Sequence, residues 1–273
     1  MTYPNADGVE NRRLESMSEH TDKVSLATIY SFRLNPEQSP LVLDIGSSAV
    51  TTLGKKLEAQ GYVYVPTDIQ PGAVIAQRQA GFTLARSANP DGQISIPDDS
   101  ISLVHARFLF AWLNPGVRQK ITEESLRVCG DVGRICLIDY DWNRVDGPPN
   151  FVDLVSAQAE FLARTPFDTK YGAGDHDDVI GYIVSSEGVD AGKVSKYTKE
   201  HELAFTVGAS LREVRSTTLS LISKIESIGD AETAEKLRNL LDIYEAGTDP
   251  YAVIKMPSII ASAITVRKRA KIR

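Results

Sequence analysis

"LVLDIGSSAV" (residues 41–50) and "YVYVPTDI" (62–69) decide how the rest of the chain is read. The first is a short continuous apolar run closed by Asp44, Ile45 and Gly46, which predicts a parallel strand covered on both faces. "VTTLGKKLEAQG" behind it has helical spacing and ends at Gly61. The second stretch predicts a further strand ending in Asp68. "PGAVIAQRQAG" then reads as a helix with Pro71 near its first turn, and "FTLA" (82–85) as a short third strand. "ISLVHARF" (101–108) predicts a fourth strand, "PGVRQKITEESLRVC" (115–129) a helix and "VGRICLIDY" (132–140) a fifth strand. Strands alternating with helices in this way predict the α/β class, with a doubly wound, mostly parallel sheet.

Outside this block the pattern is different. "SLATIYSF" (25–32) has helical spacing and follows a polar segment; "FVDLVSAQAEFLAR" (151–164) is amphipathic. "DDVIGYIVSSEG" resembles a helix ended by Gly188, and "KVSKYT" (193–198) a strand. Residues 206–247 read as two helical stretches broken near Gly229 and Asp230, and "PSIIASAITVRKR" as a closing β run. The expected organisation is an N-terminal segment (1–24), a core (25–142), a helical lid with the remaining core elements (143–250), and a closing strand with a basic tail (251–273). Apolar stripes at Leu211, Leu219, Leu221, Ile222, Ile225, Leu237, Leu240 and Leu241 either roof a substrate cavity or pack on a second copy in a homodimer.

A length of 273 residues and 42% apolar content are enough for a sizeable core. The net charge of −6 argues against a nucleic-acid partner, and "VRKRAKIR" at the C-terminus reads as a solvated tail. No apolar run approaches bilayer length, and the polar start lacks a secretory core, so a cytoplasmic protein is expected with no membrane partner. Cys129 and Cys136 have no metal-ligand pattern around them and read as reduced and structural. "YGAGDHDD" (171–178) gathers His176 with three acids; a helix N-terminus capped near Asp175 explains it better than a metal, and no metal site is expected.

In an open α/β sheet the ligand lies at the carboxyl ends of the strands, and the first strand-to-helix turn is its usual seat. A dinucleotide site there uses G-x-G-x-x-G to bring backbone onto a pyrophosphate. Here Gly46 stands alone, two residues after Asp44. A carboxylate at the strand tip repels a pyrophosphate but suits an ammonium group or hydroxyls. Asp68 ends the second strand, where one carboxylate can accept from both hydroxyls of a ribose. The pair points to a nucleoside without a diphosphate.

At this point the chain resembles the class I S-adenosylmethionine-dependent methyltransferases. "VLDIGSSAV" matches their first motif, "VPTDI" their second, and "IPDDSISLVHARFLFAWL" followed by "ESLRVCGDVGRICLIDYDW" their later ones, with "DVGR" in place of a Pro-Gly-Gly turn. The resemblance covers roughly residues 25 to 142 and the closing strand. Ser47, Ser48 and Ala49 stand where the family carries a second glycine, and the acid after the third strand is matched by Asp91, with Asn89 the alternative.

The resemblance implies a seven-stranded sheet with the last strand antiparallel. It implies an S-adenosylmethionine site formed by Asp44, Gly46, Ser47, Asp68, Ile69 and Asp91, and methyl transfer to a small organic acceptor. His105 and Arg107 end the fourth strand on the side of the transferable methyl. His105 is a candidate catalytic base or a hydrogen-bonded pocket wall; Arg107, Tyr140 and Trp142 are candidate substrate contacts. The same fold could bind the cofactor without methylating, or catalyse a cyclisation; a nicotinamide oxidoreductase is disfavoured by the missing glycines.

Overall fold

The computed structural model describes residues 8–38, 40–88, 93–110, 113, 115–129, 133–140, 145–164, 194–197, 202–247, 249 and 252–264. Helix α1 (Gly8–Ser31) leads into β1 (Leu41–Ile45), α2 (Thr52–Glu58), β2 (Val63–Asp68), α3 (Pro71–Gln79), β3 (Arg86–Ser87), β4 (Leu103–Arg107), α4 (Pro115–Cys129) and β5 (Arg134–Tyr140). Then come α5 (Pro149–Arg164), β6 (Val194–Tyr197), β7 (Glu202–Thr206), α6 (Val207–Ser227), α7 (Ala231–Gly247) and β8 (Val253–Ile264).

Five strands are parallel in the order β3-β2-β1-β4-β5, and β8 lies antiparallel beside β5. Among the described residues eight strand segments stand where seven were expected. The extra one is β7, unforeseen in the sequence; it pairs antiparallel with the first half of β8, while β6 pairs with the second half. Lys255 of β8 pairs with Ala204 of β7 on one edge and bridges to Asp146 on the other, the edge that β5 occupies. β6 and β7 therefore run along the same outer edge of β8.

The period of two along each strand sorts residues between two helical layers. Val42, Tyr64, Leu103, Cys136 and Ile138 pack with Val24 and Ile29 of α1 and Leu53 and Leu57 of α2. Leu43, Ile45, Val65, Val104, Ala106, Ile135 and Leu137 pack on the other face with Ile121 and Val128 of α4. Gly54 lets α2 approach closely, since a Cβ there would lie 2.4 Å from the Tyr64 ring. Both cysteines are free and buried; burial pushes the Cys129 thiol up to about 12 and raises that of Cys136 as well.

Two elements differ from the sequence expectation. "FTLA" is not a strand: the Phe82 N–H bonds back to Gln77 O and the Ala85 N–H to Phe82 O, so the backbone curls while Phe82 is buried edge-on to Tyr64. The third strand is Arg86–Ser87, paired with Thr67 and Asp68. The first helix extends far upstream of Ser25. Helices α5, α6 and α7 share a separate core of Phe151, Leu154, Phe161, Ile225, Leu237 and Tyr244, against which Phe108, just after β4, also packs. The helix expected near 177–188 lies outside the described residues. Among the described residues no helix is long and apolar enough to cross a membrane.

Candidate functional site

The strand order reverses between β1 and β4, so the crevice is bounded by the turn after Ile45 and the segment after Arg107. Gly46 has φ +72°. Its N–H and that of Ser47 donate to Thr67 O at 2.9 and 3.0 Å, and the Ser48 N–H donates to Asp68 Oδ2 at 3.0 Å. All three donors are turned onto the end of β2, so they form no outward cradle of the kind a diphosphate needs. Ser47 Oγ also donates to Thr67 O, at 3.3 Å.

Asp68 is held from both sides: Oδ2 by Ser48, and Oδ1 by the Gln70 N–H at 2.8 Å. A carboxylate oxygen can accept more than one hydrogen bond, so both keep acceptor capacity. Burial raises the Asp68 carboxyl above its ordinary value, outweighing the N–H donors of Gln70, Ser48 and Ile69. Ile69, next along, is an exposed large apolar side chain at the rim.

Asp44 faces inward. It lies beside His105 in the β1–β4 register, and His105 Nδ1 donates to Asp44 Oδ1 at 2.7 Å. The Tyr64 hydroxyl donates to Asp44 Oδ2. Thr67 Oγ1 bonds the Asp44 carbonyl at 3.0 Å. The other nitrogen of His105, Nε2, meets Ser25 Oγ of α1 at 3.0 Å, and the ring is fully buried. Burial works to raise the Asp44 carboxyl, but the charge and hydrogen bond of His105, with Arg107 and Tyr64, hold it below its ordinary value. Burial and then Asp44 push the Tyr64 phenol well up.

A second polar link joins α1 to the same end of the sheet. Asp22, fully buried, accepts from Arg107 at 2.6 Å and from Lys56 of α2 at 2.8 Å. Ser18, one turn earlier, accepts from Thr52 Oγ1 at 2.9 Å. Helix α1 thus sets Ser18, Asp22 and Ser25 over the strand tips.

No family model and no curated protein sequence matches the chain. Solved structures do. A chain of the complex between the Haloferax volcanii Trm112 methyltransferase activator and its candidate methyltransferase matches with TM-score 0.57 and 12% identity, over 96% of this chain and 97% of that one. A candidate sarcosine dimethylglycine methyltransferase of Galdieria sulphuraria matches with TM-score 0.51 and 16% identity, over 90% and 86%. The chain has the class I methyltransferase fold. The YcgJ protein of Bacillus subtilis is also similar, with TM-score 0.51 and 15% identity over 84% of this chain and 93% of its own.

Within this methyltransferase fold, Asp44, Gly46, Ser47, Asp68, Ile69, His105 and Arg107 come together at the switch point. Tyr140 is the last residue of β5, in register with Ser258. Asp91, Trp142, Asp175 and His176 lie outside the described residues. The sequence reading missed Ser18, Asp22 and Ser25 of α1, Lys56, Tyr64 and Gln77. The α1 positions recur at helical spacing, a signal of a polar stripe. In sequence a buried polar stripe has the same form as a solvated one.

Proposed function

We propose that the chain is an S-adenosylmethionine-dependent methyltransferase acting on a small organic acceptor. The observation that carries this reading is Asp68. It sits at the tip of β2, oriented by two backbone N–H groups and with acceptor capacity left for a diol, beside a turn that offers no diphosphate cradle. That combination favours a nucleoside without a pyrophosphate. S-adenosylmethionine, when bound, supplies an electrophilic methyl group on a sulfonium.

The chain's own part is positioning. Asp68 would accept from the ribose hydroxyls, Ile69 would give the base an apolar surface, and Gly46 would allow close approach of the backbone. Arg107, with Nη1 on Asp22, would offer the rest of its guanidinium to an acidic group of the acceptor or cofactor. Helices α5 to α7, packed beside Phe108, would serve as the lid that excludes water. With the cofactor bound, these groups would hold the acceptor in line with the S–CH3 bond, so that the acceptor–carbon bond could form as S-adenosylhomocysteine leaves as a neutral thioether, the acceptor's proton going to water.

His105 is not placed to be that base. Both ring nitrogens have partners inside the protein, and the ring is buried beneath α1. Its role in this reading is to lock α1 to β1 and β4. His105→Ala should lower the free energy of unfolding by about 1–3 kcal/mol, the usual cost of leaving buried partners unsatisfied. The pH profile of turnover should keep its low-pH limb. Loss of that limb, with the fold intact, would restore the histidine as a base.

Calorimetric titration with S-adenosylhomocysteine tests the cofactor. Asp68→Ala should weaken its binding by about 1.5–3 kcal/mol, as expected for hydrogen bonds to a charged acceptor. The pH dependence has a definite sign. Hydroxyl donors favour the ionised carboxylate, so binding lowers a carboxyl that burial has raised; affinity should be full above that raised value and fall as pH drops through it. In Asp68→Asn the acidic fall should vanish. A wild-type affinity flat down to acid pH would remove Asp68 from the ligand. Accumulation of S-adenosylhomocysteine in a turnover assay separates methyl transfer from cyclisation or binding alone.

A further inference from the structure

We infer that Gln77 is a positioning residue: its amide clamps the glycine-poor turn after β1 in the left-handed backbone conformation, and ligand affinity depends on that clamp. The inference rests on the turn being the cofactor seat proposed above.

Gln77 lies in α3 and is 1% exposed. Its Nε2 donates to Ser48 O at 2.8 Å and to Val50 O at 2.9 Å. Two carbonyl acceptors identify this end of the amide as the nitrogen, because an oxygen there would face two other oxygens. Oε1 is buried and meets no hydrogen-bond partner among the described residues. A buried acceptor without a donor weakens a fold, so packing alone favours an apolar residue at this position. What the amide supports is the turn.

Ser48 shows why support is needed. It has φ +55°, a region in which a side chain is disfavoured and glycine is at ease. Every polar group of this residue is tied: its N–H to Asp68, its carbonyl to Gln77, and its Oγ to the Val50 N–H at 3.2 Å. Glycine would take the same conformation without these ties. Gln77 and Asp68 therefore do by hydrogen bonding what a second glycine does by lacking a Cβ.

The test compares wild type, Gln77→Met, Gln77→Glu, and each with Ser48→Gly added. Two quantities are measured: S-adenosylhomocysteine affinity by calorimetry, and backbone hydrogen exchange across residues 46–50 without ligand. Gln77→Met should weaken binding at least about tenfold and speed exchange by a similar factor. Gln77→Glu, which keeps the shape and when ionised only accepts, should behave alike in measurements at alkaline pH. Adding Ser48→Gly should recover most of both losses, a rescue that a packing role would not produce. If Gln77→Met does not fold, the Gln77→Glu pair carries the comparison.

Unchanged exchange in both single variants, or double variants no better than the singles, overturns the clamp. Should the wild type bind no S-adenosylhomocysteine, the cofactor reading falls, and the exchange data alone decide for or against the clamp.

Discussion

Asp44→Ala should lower the free energy of unfolding by about 2–6 kcal/mol, because two buried donors each lose their acceptor at about 1–3 kcal/mol apiece. The carboxylate accepts from His105 on one oxygen and from Tyr64 on the other, all three side chains being buried. Its loss leaves a buried imidazole and a buried phenol unanswered, and through Ser25 it loosens α1 as well. Asp44→Asn should cost less, because its amide can still accept from one partner and donate to the other.

The pH dependence follows from the lowered carboxyl. In the unfolded chain the group titrates near about 3.9. In the fold it titrates lower, so its contribution is fully present above the unfolded value and disappears as pH falls through the folded one. Urea unfolding of wild type and Asp44→Asn from neutral to acid pH should therefore show a constant gap that narrows only in the acid region. An Asp44→Ala midpoint equal to that of wild type would mean that the carboxylate does not hold this end of the sheet.

Gly46→Val should reduce S-adenosylhomocysteine affinity at least about a hundredfold, roughly 2.8 kcal/mol at 1.4 kcal/mol per decade. Two effects act together. At φ +72° a β-branched residue is strained whatever the space around it. A Cβ would also lie 3.0 and 3.2 Å from the two terminal carbons of Leu109, which must shift to admit it. The same strain should reduce stability by about 1–3 kcal/mol. Calorimetry on folded protein, with circular dichroism as the check on the fold, separates the two. A variant that folds and binds as wild type would show that nothing sits against the turn.

The parallel half of the sheet was legible because fully covered strands read as continuous apolar runs: "LVLDI" is β1 residue for residue. Its neighbours Asp68 and Gly46 were legible for a local reason, since strand tips and tight turns limit which residues fit. The third strand was misplaced because Phe82 and Ala85 are apolar for burial alone. Their backbone hydrogen bonds curl back on α3 and Phe82 itself, a matter that apolar content does not report. β7 was missed because its pairing is entirely with β8, about fifty residues on, and no local pattern records a partner so distant.

By itself the sequence determined the α/β class, four of the five parallel strands, the single glycine of the first turn and the acid at the tip of β2. All of these follow from local periodicity and from backbone conformations that few residues tolerate. Tertiary structure alone decided what the polar groups do. Asp44 and His105 look like ligand-facing residues until β1 and β4 set them side by side and α1 covers them with Ser25. Asp22, Arg107 and Lys56 look like solvated charges until three separate elements bring the two cations onto one buried carboxylate. A polar side chain is identical in sequence whether its partner is water, a ligand or another residue far along the chain, and only the packed fold selects among the three.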